Sequence, residues 1–178
     1  MASRPAAIDA LVVDGWANYQ RLLCDRIRRL SREELAFRTA PAMWAIWQLA
    51  GHLAGTRAYW FIDVLGAGDP TLRDRFRVPS TTVPGLPLED AGWEDDENRP
   101  RTAEELADAL EATWSMIETN LRRWTAADLD ESFSRPGRPG EPASTRRWVV
   151  WHELEHDIHH GGEISQILGS RGLPGLDL

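Results

Sequence analysis

The sequence predicts an all-α fold: a four-helix bundle of two αα half-repeats, with a long connection between the second and third helices. Three observations predict it. Four long segments place apolar residues at helical spacing. The two halves of the chain share a pattern of caps, apolar stripes and one histidine. No segment alternates with period two for long enough to be a convincing strand.

The first helix is expected over about 5–29, with Val12, Trp16, Leu23, Ile27 and Leu30 on or near one stripe. The second, about 43–65, is apolar nearly all round and so is expected to be well buried. Residues 66–101 form the long crossover. Its first 35 residues are rich in Pro, Gly and Asp and lack periodicity, which suits either a lid or a solvated connection. The third helix opens at Thr102, where T-A-E-E reads as a capping box with Glu105 reaching back. Its stripe is Leu106, Leu110, Trp114, Ile117, Leu121 and Trp124. The fourth runs from about 145 to 170 and stops at Gly172 and Pro174.

The repeat ties these helices into pairs. Leu30-Ser-Arg-Glu-Glu-Leu35 parallels Trp124-Thr-Ala-Ala-Asp-Leu129, each a capping box with a hydrophobic staple. A shift of 94 residues lays the stripe of the first helix on that of the third. A shift of 104 lays Trp44, Trp47 and His52 on Trp148, Trp151 and His156. About 10 extra residues in the second half are placed in 134–143. Two such pairs close into one bundle, so residues 1–178 are read as a single domain.

Composition excludes several classes of function. A formal net charge of −8, with every basic residue an arginine, argues against nucleic acid as a partner. Cys24 is the only cysteine, so no intramolecular disulfide forms. No apolar run approaches the roughly 20 residues needed to cross a bilayer, and the first 19 residues lack the pattern of a signal peptide. No membrane partner and a cytoplasmic location are expected.

The stretch WHELEHDIHHGGE, from Trp151 to Glu163, holds four of the five histidines. Residues four apart nearly stack on a helix. His156 and His160 are such a pair, at the border between the polar arc and the core. His152 and His159 lie further round, toward the rim. The repeat supplies a third histidine, because His52 corresponds to His156 and equivalent positions of the second and fourth helices can face each other. His52, His156 and His160 are therefore the candidate metal ligands. Three neutral imidazoles suit zinc, nickel or iron and leave a position open for water or substrate. Glu163, Asp157 and Glu155 are near enough to accept a ligand's free N–H, or else are surface charge. His159 is a further outer candidate. Gly161 and Gly162 suit close helix approach, room for a substrate, or a kink. Arg73, Arg75 and Arg77 of the crossover either pair with a substrate carboxylate or form solvated surface.

HELEH also fits the zinc-protease pattern HExxH, with His152 and His156 as ligands and Glu153 as general base. Against that reading stand the charged Glu155, a downstream ligand that would have to be Asp177, the lack of a sheet, and the idle His52 and His160.

W-x-x-W-x-L-A-G-H-L at Trp44 to Leu53, with H-D-I-H-H-G-G-E-I-S at His156 to Ser165, resembles the DinB-like superfamily. The resemblance covers nearly the whole chain apart from 66–100. It implies a four-helix bundle holding a divalent metal, zinc or nickel, on one histidine of the second helix and two of the fourth. Carried over, these are His52, His156 and His160. It also implies a homodimer. Characterised members include S-transferases using mycothiol or bacillithiol and a mycothiol-dependent maleylpyruvate isomerase. The expectation is thus a metal-dependent transferase joining a low-molecular-weight thiol cosubstrate to an electrophilic small-molecule substrate. A hydrolase of the same fold and a non-catalytic, metal-binding stress-response bundle are the alternatives.

Overall fold

A computed structural model describes residues 10–78, 91–134, 140 and 143–176. It contains seven α-helices among those residues, four of them long. α1 (Gly15–Arg28) is preceded by a wide π-type turn over Ala10–Asp14. α2 (Arg32–Leu35) is the first capped turn. α3 (Ile46–Ala58) runs on through a second π-type stretch, Tyr59–Val64. α4 (Pro70–Asp74) lies in the crossover. α5 (Ala103–Arg123), α6 (Ala126–Asp130) and α7 (Arg146–Gly169) complete the set. The fold is the all-α bundle that the periodicity predicts.

The caps form as the sequence directs. The Ser31, Thr102 and Thr125 hydroxyls accept from the backbone N–H three residues on, and Glu34, Glu105 and Asp128 reach back. Leu30 and Leu35, the apolar pair around the first box, are both buried. All six residues of the α5 stripe are buried as well.

The two half-repeats interlock as they close into one bundle: α1 packs on α5, α5 on α3, and α3 on α7. The crossover is partly ordered by local chemistry. Asp69 caps α4, with Pro70 at its first position, and a 3₁₀ turn forms at Trp93–Asp95. A minimal antiparallel ladder joins β1 (Ser132–Phe133) to β2 (Ser144–Thr145), too short to show as alternation. The tryptophans divide: Trp16, Trp47, Trp60, Trp93, Trp114 and Trp124 are core, whereas Trp44, Trp148 and Trp151 are exposed. Residues 79–90, 135–139, 141–142 and Asp177 lie outside the described residues, and with them part of the crossover, most of the 134–143 insertion and the ligand that the protease reading needs. Among the described residues, no helix is long and apolar enough to cross a membrane.

The core has two apolar clusters separated by a polar layer. One gathers Leu23, Ile27, Leu53, Leu106, Leu110 and Ile164; the other Trp16, Phe61, Trp114, Ile117, Leu121 and Val149. Between them Arg57 of α3 meets Asp157 of α7, both fully buried. Asp157 accepts from Arg57 Nε at 3.0 Å, from Arg57 Nη2 at 2.5 Å and from Trp16 Nε1 at 2.5 Å. Arg57 Nη1 donates to the Leu110 carbonyl at 3.3 Å. This knot ties three long helices at one level and contacts the carbonyl of the fourth.

Candidate metal centre

α3 and α7 pack side by side, which brings the histidine-bearing faces of the two half-repeats together. His52 Nε2 lies 3.2 Å from His156 Nε2. One ring nitrogen from each of His52, His156 and His160 falls within 4.8 Å of the others. The ring centroids are 4.5 to 5.2 Å apart. The three candidates named from the sequence are therefore neighbours in space.

Two of the rings are held from behind. His52 Nδ1 meets Glu94 Oε1 at 2.7 Å, and His160 Nδ1 meets Glu163 Oε2 at 2.6 Å. A carboxylate on Nδ1 keeps the proton there and turns the Nε2 lone pair toward the partner rings. Burial lowers the pKa of His156 to about 3, with the neighbouring histidines adding to the effect. Burial also lowers that of His160, against the raising pull of Glu163. Neutral imidazoles with converging lone pairs are donors for a cation. Two nitrogens on a tetrahedral zinc, each about 2.0–2.1 Å from it, stand about 3.3 Å apart, so the 3.2 Å spacing of His52 and His156 fits one. His156 Nδ1 is buried and has no hydrogen-bond partner.

The outer candidates fare differently. Glu163 sits on His160. Asp157 is committed to Arg57 and Trp16, so it is a core residue and not a support for the histidines. Glu155 is exposed and stands 4.0 Å from His152 Nδ1, away from the trio. His159 is exposed, edge-on to His160 at 5.0 Å and 3.7 Å from Glu163. The protease constellation does not assemble. His152 stacks on Trp148 and lies outside the ligand-distance group, and Glu153 is wholly buried with both oxygens unpartnered.

Glu94 was not read from the sequence. It belongs to the 3₁₀ turn of the crossover, where no periodicity marks it. The local signal is Gly92 followed three residues later by Asp95, whose carboxylate accepts the Gly92 N–H at 2.9 Å. Gln48 fixes the same turn by donating to the Glu94 carbonyl at 2.8 Å. Gly51, next to His52, leaves the room: a Cβ there would stand 3.3 Å from Trp93 Cβ. Gly161 does the same for α1, since a Cβ would overlap the Tyr19 hydroxyl.

Beside the histidines opens a cavity of about 460 Å³, with Met43, Trp44, Leu49 and Ile167 among its walls and His160 and Glu163 at its polar end. The Trp44 ring lies 4.7 Å from His52 and 6.3 Å from His160. Among the described residues, no arginine lines this cavity. Arg73 is buried against Asp63 at 2.7 Å and Arg77 pairs with Asp74 at 3.1 Å, so these two are engaged within the chain, whereas Arg75 donates to the Glu105 backbone carbonyl at 3.3 Å.

The profile of the DinB superfamily matches residues 16–164, a span that includes all three histidines. The structure is similar to that of a DinB-like protein from Bacillus cereus ATCC 10987, with a TM-score of 0.66, 18% identity, and 94% of this chain and 95% of that one covered. It is also similar to a conserved protein from Enterococcus faecalis, with a TM-score of 0.69, 15% identity, and 94% and 99% covered. No match to a curated protein reaches significance.

Proposed function

The chain belongs to the DinB superfamily, and from that premise we propose that His52, His156 and His160 hold one divalent cation, zinc or nickel, in the service of transferring a low-molecular-weight thiol to an electrophilic small molecule. The observation that carries the reading is the convergence of three ring nitrogens within 4.8 Å, two of them backed by carboxylates. The cation would supply Lewis-acid chemistry, lowering the pKa of a thiol or water at the position left open by three protein ligands. The rest falls to the chain itself. Glu94 and Glu163 fix the tautomers and orientations of His52 and His160. Burial keeps His156 neutral, so no proton competes for its lone pair near neutral pH. Trp44, Met43 and Leu49 offer an apolar wall that would hold an uncharged electrophile and exclude water from the reacting face.

Turnover tests the reading. The protein loaded with zinc or nickel is offered N-acetylcysteine and 1-chloro-2,4-dinitrobenzene, then a wider panel of thiols and electrophiles. Thiol conjugation above background that disappears in His52→Ala is the expected result. Conjugation that survives His52→Ala overturns it. Ester or amide hydrolysis without conjugation makes the protein a hydrolase, and bound metal without turnover of any kind makes it a non-catalytic bundle.

A further inference from the structure

A second polar cavity lies beside Trp93, one residue from Glu94. It measures about 220 Å³ and is lined by four arginines, Arg75, Arg77, Arg99 and Arg101, against two acidic residues, Asp96 and Glu105. Such an excess is unexpected in a chain of formal net charge −8. Among the described residues, three of the four arginines make no hydrogen-bonded ion pair. Arg101 is 5% exposed; its closest carboxylate oxygen, Asp96 Oδ2, is 3.8 Å away, and its buried Nε has no partner. Arg99 stands 3.6 Å from Glu105. Arg75 donates to the Glu105 backbone carbonyl, at 3.3 Å. Arg77 is the exception, paired with Asp74.

The Trp93 ring supports two of these cations, with Arg101 at 4.5 Å and Arg75 at 5.6 Å from its centroid. Ring contact does not supply the missing acceptor for Arg101 Nε. A buried guanidinium without one is costly, and burial together with Arg99 lowers the Arg101 pKa accordingly. Asp96 Oδ1 is likewise buried without a partner. The vacant demand is thus for acceptor oxygens beside three arginines and for one hydroxyl donor beside an aspartate. A simple carboxylate meets only the first half. Hydrogen phosphate, free or as a monoester carrying a hydroxyl, meets both.

We propose that Arg75, Arg99 and Arg101, with Asp96 and the face of Trp93, form a binding site for the phosphate group of a small molecule. The inference stands apart from the histidine centre and does not depend on a metal there.

Calorimetric titration tests it, in chelator so that the histidine centre plays no part, and at ionic strength held constant with chloride. Inorganic phosphate and glycerol 3-phosphate are the two probes, and succinate is the carboxylate control. The wild-type chain is expected to bind at least one phosphate probe tenfold or more tighter than succinate. Tighter binding of the ester identifies phosphomonoesters as the ligand class; tighter binding of the inorganic ion identifies free phosphate. Arg101→Gln and Arg99→Gln are each expected to weaken binding at least tenfold. Arg99 has a largely exposed side chain, 67% accessible, so its variant keeps the test open if Arg101→Gln does not fold. Loss of binding in either folded variant supports the site. No phosphate preference in the wild type, or unchanged binding in every variant that folds, overturns it.

Discussion

α3 and α7 carry two polar clusters close together, and the two are built on opposite terms. In the Arg57–Asp157 knot nearly every hydrogen-bonding group finds a partner, and both side chains are fully buried. In the histidine centre, ring nitrogens face one another, His156 Nδ1 has no partner, and the rings keep some access to solvent. A satisfied buried pair has nothing left to offer a ligand; it fixes the relation of the helices. A convergent cluster with unmet valences is unfavourable until something fills it. The first cluster holds α3 and α7 in register, and the second uses that register.

The contrast makes predictions of decreasing size. Arg57→Met strands the Asp157 charge in the core and is expected to cost about 3–5 kcal/mol of stability, read from the urea midpoint. Adding Asp157→Leu should recover most of that loss, because a buried pair replaced whole by apolar groups is often neutral. A double variant no more stable than the single would show that the knot does more than balance its own charge.

Next in size are the carboxylates behind the rings. Glu94→Gln or Glu163→Gln is expected to weaken zinc affinity about 10–100-fold in competition with a chromogenic chelator. The metal-free unfolding midpoint should hardly move. Equal losses of stability and affinity would place these residues with the knot instead.

Gly161→Ala drives a methyl group into Tyr19, whose hydroxyl would be overlapped. Overpacking of this kind costs about 1–3 kcal/mol, offset in part by the better helix propensity of alanine. A destabilisation of about 1 kcal/mol in thermal melts is expected, and Tyr19→Phe in the same background should relieve some of it.

The smallest effect is a slope with pH. Burial, reinforced by the charge of Asp157, raises the Glu153 pKa well above 4.5. The folded chain then keeps a proton that the unfolded chain releases above about pH 4.5. Stability must therefore fall as pH rises from there toward the folded pKa. Glu153→Gln should flatten the urea midpoint over that window; a slope unchanged by the substitution would assign it to other groups.

How much of this was legible depended on periodicity. The four long helices, three capping boxes and the pairing of His52 with His156 all follow from spacings of three, four and 104 residues, which a single chain displays. Glu94 could not be found that way, because it reaches His52 from an aperiodic turn held by Gly92, Asp95 and Gln48. Asp157 was misplaced for a related reason. It lies beside His156 in sequence, but one residue turns a helix by about 100°, and the lone Arg57 of the apolar α3 waited on the other side. Arg57 was the available signal: a single charge in a helix apolar all round needs a buried partner. The π-type turns at Ala10–Asp14 and Tyr59–Val64 change the helical phase without changing its composition, so hydrophobic patterning passes through them unmarked.

The claim under all of this is that one imidazole of the first half-repeat and two of the second share an ion. Elemental analysis after loading with zinc or nickel and exhaustive dialysis tests it most directly, run in parallel on the wild type, His52→Ala and His160→Ala. The account predicts one ion per chain in the wild type and only a small fraction of that in either variant, each still folded by circular dichroism. A wild type that retains no divalent ion, or a His52→Ala chain that retains a full one, would contradict it.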